Sequence, residues 1–482
     1  MMHTIDYLLF FGYLMALLAV GLYYYRRHRG GEDYYLAGRN LPAKHVGFSI
    51  AATDVGGGFS IGLAGLGFTM GLSASWLLFT GLLGAWLTAV LLIPKVKRRD
   101  QTQNLFTYPD LLRHHFGPRV AMIAALISGV GYLGFTSAQL LAGAKLASVT
   151  LIPDSLSFDS PLTLALWIIG GTTILYTAFG GLKAVIMTDS IQWLVLLLGL
   201  LCLALPMAWS QVGGWSGLNA TLPEHFFSLS SISGITLINW MVTITPIWFV
   251  AMTLYQRIYA CRDDATAKRA WFMAGLLEYP VMAFSGVLLG MCARVLLPEM
   301  DAESAVPAMI RDLLPVGVTG LVVAAYFSAI MSTADSCLMA CSGNLLNDLM
   351  GLRDNDRYTV RYSMLATLIL GVIAIILAAR AESVLSAILM AYTLMISGLV
   401  MPTLACLFWP RVSQGTALAS MLTGCITSLW LMWPPLPVPE LIQASGLDAG
   451  VFGLTASACA MGIAHMMNCI FSTSHSQKEL HD

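Results

Sequence analysis

Apolar residues occupy this chain in thirteen stretches, at about 6–25, 45–70, 75–94, 119–148, 161–180, 188–210, 235–255, 271–295, 316–342, 361–380, 383–409, 414–434 and 448–471, parted by short polar segments. A helix of about 20 apolar residues crosses a hydrocarbon core of roughly 30 Å, so each stretch is long enough to span a bilayer. The pattern predicts an all-α polytopic membrane protein of about thirteen transmembrane helices.

Two spans break their own pattern. Ser49–Ser60, SIAATDVGGGFS, lies inside the second span yet carries Asp54 followed by Gly56, Gly57 and Gly58. Each glycine weakens a helix by roughly 1 kcal/mol relative to alanine, and any backbone group it frees in lipid must find another partner. Such a break fits a position facing protein or a watery cavity, as in the interrupted helices with which secondary transporters hold ions and solutes. A glycine seam for close helix packing is the other reading. In the seventh span, ITLINWMVTITPIWFV, Pro246 follows Thr245. It removes a backbone donor and crowds the preceding turn.

The broken spans sit five apart. That spacing predicts two five-helix repeats of opposite orientation, 45–210 and 235–409, inside a single transporter domain covering 1–482. The first span would be peripheral, and two C-terminal spans would follow at 414–471. Gly56, Gly57, Gly58, Thr245 and Pro246 are then expected at the solute site. Gly57→Ala should favour a continuous helix by about 1 kcal/mol, reducing transport while sparing insertion.

Composition agrees with the span pattern: 57% hydrophobic residues, 11% charged residues and a mean hydropathy of +0.75 exclude a soluble core. The net charge of −1 matters less than its placement. If the loop after the first span is cytoplasmic, 21 of the 25 lysines and arginines fall on the inside, and only Lys145, Arg294, Arg311 and Arg380 lie near the other face. The positive-inside rule then puts the N-terminus outside and the C-terminus in the cytoplasm of a cell (inner or plasma) membrane. Nucleic acid is not an expected partner, because no basic patch stands outside the short loops; the solute and membrane lipid are. The nine cysteines show no CxxC spacing and read as packing residues. The start, MMHTIDYLLF, has neither a basic segment nor a cleavage site, so the first span is expected to be retained.

Within the ninth span, Tyr326–Gly343 reads YFSAIMSTADSCLMACSG. Its hydroxyls, spaced mostly by three or four, share a helical face. A sodium ion is a hard cation, and hydroxyls with freed carbonyls supply the oxygens it needs. Serine and threonine in membrane helices also bond back to their own carbonyls, which is the simpler reading for any one of them. Four acids, Asp54, Asp189, Glu278 and Asp335, lie in or at the edge of the spans. Burying a carboxylate in a bilayer is expensive, so each marks a candidate site, although Asp189 at the span edge reads equally as solvated.

Four segments carry a resemblance: LAGRNLP (Leu36–Pro42) leading into AATDVGGGF, YTAFGGLKAVIMTDSIQ (Tyr176–Gln192), YQRIYACRDDATAKRA (Tyr255–Ala270) and SAIMSTADS (Ser328–Ser336). They resemble the sodium:solute symporter family along essentially every span. The resemblance implies a leucine-transporter-like 5+5 inverted repeat and sodium-coupled uptake. Position by position, it implies a sodium site from the carbonyls of Ala52, Val55 and Ala329 with the hydroxyls of Ser332 and Thr333. It further implies a coupling role for Asp54 and a gate role for Asp189. Where the proline symporters of that family have a serine and a tryptophan close after the acid, this chain has the triple glycine, which is more similar to the choline-transporter branch and leaves the solute open.

The expected function is therefore sodium-driven symport of a small organic solute into the cell by alternating access, with sodium as the coupling ion. Proton coupling through Asp54 or Glu278 is one alternative. A transporter-like sensor is another, although the tail TSHSQKELHD is short for a signalling domain. An enzyme is not expected, since no nucleophile-and-base pair or metal cluster appears.

Overall fold

The computed structural model describes residues 2–25, 39–152, 160–351, 357–432 and 437–478; a few helical residues within these, Val55 and Gly58 among them, are described by backbone only. Regular structure there is helical, apart from an isolated parallel bridge between Leu41 and Cys261. Buried hydrogen bonds in lipid have to close within the segment, which is why an apolar chain of this kind builds helices. Several begin at polar caps: Thr107, Asp263, Asp301 and Ser383 each accept a backbone N–H from the first turn of the helix they precede.

Ten helical segments among the described residues are long and apolar enough to cross a membrane, or eleven when the pair Gly234–Ile247 and Met252–Ala260, bent by 41°, counts as one. The expected thirteen differ from this for two local reasons. The apolar part of the first helix, Thr4–Val20, is short, and the second and third stretches meet in one helical run, Ser60–Gln103. That run is interrupted at Gly71, whose φ of +68° ends the Leu63–Met70 helix and where a Cβ would overlap the backbone of Phe226. Pro161–Leu197 is one helical element, and within it Tyr176 Oη and Thr188 Oγ1 are 2.6 Å apart.

Val318–Leu349 is the centre of the molecule, with 94% of its span window buried, against 22% for Ala449–Ile470 at the edge. Small residues make that possible, because serine, alanine and glycine let neighbouring helices approach. The first helix, Thr4–Tyr25, is largely exposed but is pinned to the start of the central helix. There Asp6 Oδ1 accepts the N–H groups of Gly317 and Gly320 at 2.7 and 2.9 Å. Gln414–Met432 and Ala449–Lys478 pack on one another through Ser420 and Ser457, 2.8 Å between hydroxyls. Leu63–Met70 and Ala283–Leu296 touch backbone to backbone: a Cβ on Gly67 would lie 2.5 Å from the Val287 carbonyl, and one on Gly290 would overlap Ala64.

Candidate ion and solute site

The Ala43–Gly57 helix breaks where the glycines predict, at Gly56, with φ 14° and ψ −165°. Its last turn lies against the central helix. Ser332 Oγ donates to the Ala52 carbonyl at 2.8 Å and is 3.0 Å from the Ala329 carbonyl. Thr333 Oγ1 donates to the Thr53 carbonyl at 2.6 Å and lies 3.4 and 3.3 Å from the carbonyls of Ala52 and Ala329. Four of the five expected sodium ligands, Ala52, Ala329, Ser332 and Thr333, therefore meet in one place, joined by Thr53. Val55 and Gly58 lie outside the residues described in full. The oxygens are neutral hydroxyls and carbonyls, the donor set a hard monovalent cation accepts and releases. Both hydroxyls also reach their own helix, as back-bonding predicts. Each nevertheless bridges to a carbonyl some 280 residues away in the chain.

Two of the groups freed by the break are engaged among the described residues. Gly57 N–H donates to Gln139 Oε1, and Ser60 Oγ donates to the Gly56 carbonyl at 2.7 Å. Gln139, on the Pro118–Thr150 helix, was not marked by the sequence. A Cβ on Gly57 would overlap Ala142, so this glycine serves the packing seam as well as the break. That contact adds a packing cost which the expectation for Gly57→Ala did not include.

One layer away lies a charged cluster. Arg257 and Asp189 are both fully buried. The guanidinium donates through Nη2 to Asp189 Oδ2 (3.2 Å), Thr53 Oγ1 (2.6 Å) and Ser336 Oγ (2.9 Å), through Nε to Ser49 Oγ (3.0 Å) and through Nη1 to the Thr253 carbonyl (3.1 Å). Ser49 donates to the same Asp189 oxygen. Two readings of the sequence are corrected here: Asp189 is not solvated, and Arg257, counted with the cytoplasmic loop, is inside the protein. The signal was present, since Arg257 stands alone in the otherwise uncharged run Met252–Ala260. A buried ion pair is weak evidence for stability, because desolvation offsets most of its Coulomb gain. Asp335 is buried beside it, next to Ser336, and among the described residues neither of its carboxylate oxygens has a hydrogen bond of good geometry.

On the other side of the break, Asp54 borders a cavity walled by Tyr132, Phe135, Trp248 and Tyr392. Phe135 and Tyr392 meet edge to face at 5.1 Å, and Tyr132 Oη is held by Thr253. The second helix break supplies part of this wall. After Pro246 the chain leaves Gly234–Ile247, and the residues just past it, Ile247, Trp248 and Ala251, line the cavity. Thr245 is placed differently from the expectation: its Oγ1 donates to the Thr80 carbonyl, 2.9 Å away. A third break follows. Tyr279, before Pro280, has φ −131° and ψ 120°, and this kink turns the fully buried Glu278 towards Asp54.

The whole chain can be set beside known proteins. The family model described as Sodium:solute symporter family matches residues 34–424. The high-affinity proline transporter PutP of Bacillus subtilis (strain 168) is 27% identical over 438 residues, covering 85% of this chain and 89% of the relative. A sodium/proline symporter of Staphylococcus aureus is 24% identical over 478 residues, 94% and 90%. Among solved structures, a Na+-coupled sialic acid symporter in a substrate-bound outward-open state superimposes with a TM-score of 0.79 at 21% identity, covering 96% of this chain and 98% of that one. Mhp1, a nucleobase-cation-symport-1 family transporter, gives 0.56 at 14%, with 90% and 95% covered. At those identities the structures speak for the fold alone: many-spanned, all-α, with helices paired in the manner of an inverted repeat. With a family match over most of its length, this chain belongs to the sodium:solute symporter family, and its activity is sodium-coupled secondary transport of a small organic solute across a membrane.

Proposed function

We propose that the carbonyls of Ala52, Val55 and Ala329 and the hydroxyls of Ser332 and Thr333 hold the coupling sodium ion, and that the solute sits beside it in the cavity at Asp54. The observation that carries this reading is the bridge from Ser332 and Thr333 to the carbonyls of Ala52 and Thr53. The two partners belong to the stretches 45–210 and 235–409, which we take as a leucine-transporter-like 5+5 inverted repeat. An ion between them favours the arrangement in which they meet. A tenfold preference for one arrangement is worth about 1.4 kcal/mol, and only such differential affinity moves the equilibrium. Solute uptake then follows by alternating access, the two halves rocking about the site.

We count thirteen crossings by taking Thr4–Tyr25 as one and dividing the long run at Gly71. The basic residues support an N-terminus outside and a C-terminus in the cytoplasm of the cell membrane. Asp54 is assigned to coupling, at the solute, and Asp189 to the gate, through Arg257.

The test is thermal stability of the purified protein in sodium against potassium at equal ionic strength. Sodium should raise the melting temperature of the wild type, and at the same concentration raise it less in Ser332→Ala and Thr333→Ala. Equal melting in the two salts would overturn the assignment. A proton-coupled reading rests on the facing carboxyls of Asp54 and Glu278. Proteoliposome uptake driven by a pH gradient without sodium, and not by a sodium gradient at equal pH, would favour it.

A further inference from the structure

In an unbroken helix the Gly57 N–H would donate to the Thr53 carbonyl, four residues back. The backbone at Gly56, with ψ −165°, turns that N–H away. Each half of the missing bond has found a partner on another helix. The Thr53 carbonyl accepts from Thr333 Oγ1 at 2.6 Å, on the central helix, and the Gly57 N–H donates to Oε1 of Gln139, 82 residues further along the chain and 1% exposed. A backbone N–H released at membrane depth has no water to turn to, so its acceptor has to come from the protein. Ser60, by contrast, reaches the Gly56 carbonyl from within the same segment and makes that bond whatever surrounds it.

The glycines are shaped around the Gln139 oxygen. It lies 2.8 Å from the point where a Cβ of Gly56 would stand and 2.9 Å from that of Gly57. The same Cβ on Gly56 would overlap Thr333 Oγ1. Gly56 is therefore clasped between Gln139 on one helix and a proposed sodium-binding hydroxyl on another. Gln139 shares its side of the Pro118–Thr150 helix with Tyr132, Phe135 and Ala142, spaced by three or four. Tyr132 and Phe135 wall the cavity at Asp54, and Ala142 lies against Gly57. One helix face thus runs from the proposed solute cavity to the break that presents carbonyls to the ion.

We propose that Gln139 is a positioning residue for sodium: by accepting the Gly57 N–H it holds the chain open at Gly56 and leaves the carbonyls of Ala52 and Thr53 turned to Ser332 and Thr333. This rests on the ion site proposed above and adds the residue that keeps it formed. Gln139 acts through Gly57 and supplies no ligand of its own. When the acceptor is removed, the N–H regains a partner at membrane depth by closing back on Thr53, which draws that turn away from the central helix.

The test compares Gln139→Leu, of similar bulk without an acceptor, with Gln139→Glu, which keeps an oxygen at the same place. Both are read by sodium activation of uptake in proteoliposomes and by the melting temperature of the purified protein in sodium against potassium. Gln139→Leu should raise the sodium concentration for half-maximal uptake by about tenfold or more, while solute affinity at saturating sodium changes by less than about threefold. Gln139→Glu should leave the sodium requirement within about threefold of the wild type or lower it. A Gln139→Leu protein with wild-type sodium dependence would overturn the proposal. So would equal impairment of the two variants, which would make the side chain a packing element. If the leucine variant does not accumulate, Gln139→Glu decides alone, and a raised sodium requirement there overturns the proposal. Failure here is separable from failure of the ion site: Ser332→Ala weakening sodium activation while Gln139→Leu leaves it unchanged removes only this inference, whereas a wild type that melts alike in the two salts removes the site itself.

Discussion

At the scale of single residues, the proposed ion site separates ion binding from solute binding at Ser332 and Thr333. In that proposal each supplies one oxygen to a shell with few to spare. Replacing either with alanine should raise the sodium concentration for half-maximal uptake by about tenfold, with a smaller effect on solute affinity at saturating sodium. Arg257 and Asp189 behave as a pair. Arg257→Gln leaves Asp189 and Asp335 buried without a cation, a change that costs about 3–5 kcal/mol. Folded yield should collapse in that variant and recover in part when Asp189→Asn is added; a double variant no better than the single one would show that the two residues are not coupled. At Gly57 two terms oppose one another. Helix propensity gains about 1 kcal/mol on changing it to alanine, but overpacking against Ala142 and Gln139 costs about 1–3 kcal/mol. Gly57→Ala should therefore lower detergent-extracted yield, and an unchanged yield with lost transport would restore the simpler helix-continuity argument.

At the scale of elements, the sequence announced the helix breaks better than their surroundings. Consecutive glycines and a mid-span proline are local features with local consequences, so Gly56 and Pro246 were legible, as were the hydroxyls of Tyr326–Gly343. The partners were not. Gln139, Tyr132, Trp248 and Tyr392 come from three separate helical regions, and nothing in the spacing of any one of them says that they converge. Glu278 was visible as a misplaced acid but not as the neighbour of Asp54, because that contact depends on the kink at Tyr279. Burial reversed the reading of Arg257 for the same reason. The hairpin corner at Gly71 is a further test of local geometry. Gly71→Ala forces a side chain onto a left-handed backbone and into Phe226, and it should lower thermal stability by about 1–3 kcal/mol, measured as a fall in melting temperature.

At the scale of the whole molecule, the asymmetry of basic residues makes a statement about which face is which. Gln103, the last residue of the Ser60–Gln103 run, and Glu299, just past Ala283–Leu296, are both exposed. In a background lacking Cys202, Cys459 and Cys469, the exposed native thiols among those described, a cysteine at 299 should react with an impermeant maleimide from outside intact cells and one at 103 should not. The reverse pattern would invert the topology.

The backbone contact between Leu63–Met70 and Ala283–Leu296 has a mechanical meaning. These are the segments beyond two of the three breaks, and with Gly67 on Val287 and Gly290 on Ala64 neither can slide past the other. They form one lever, and Asp54 and Glu278 stand at its two hinge points. Fourteen residues from Gly56 to Met70 make an arm of about 20 Å, so a tilt of about 10° swings its far end by nearly 4 Å and its fulcrum hardly at all. The solute site proposed at Asp54 lies close to that fulcrum, where such a tilt would move it least.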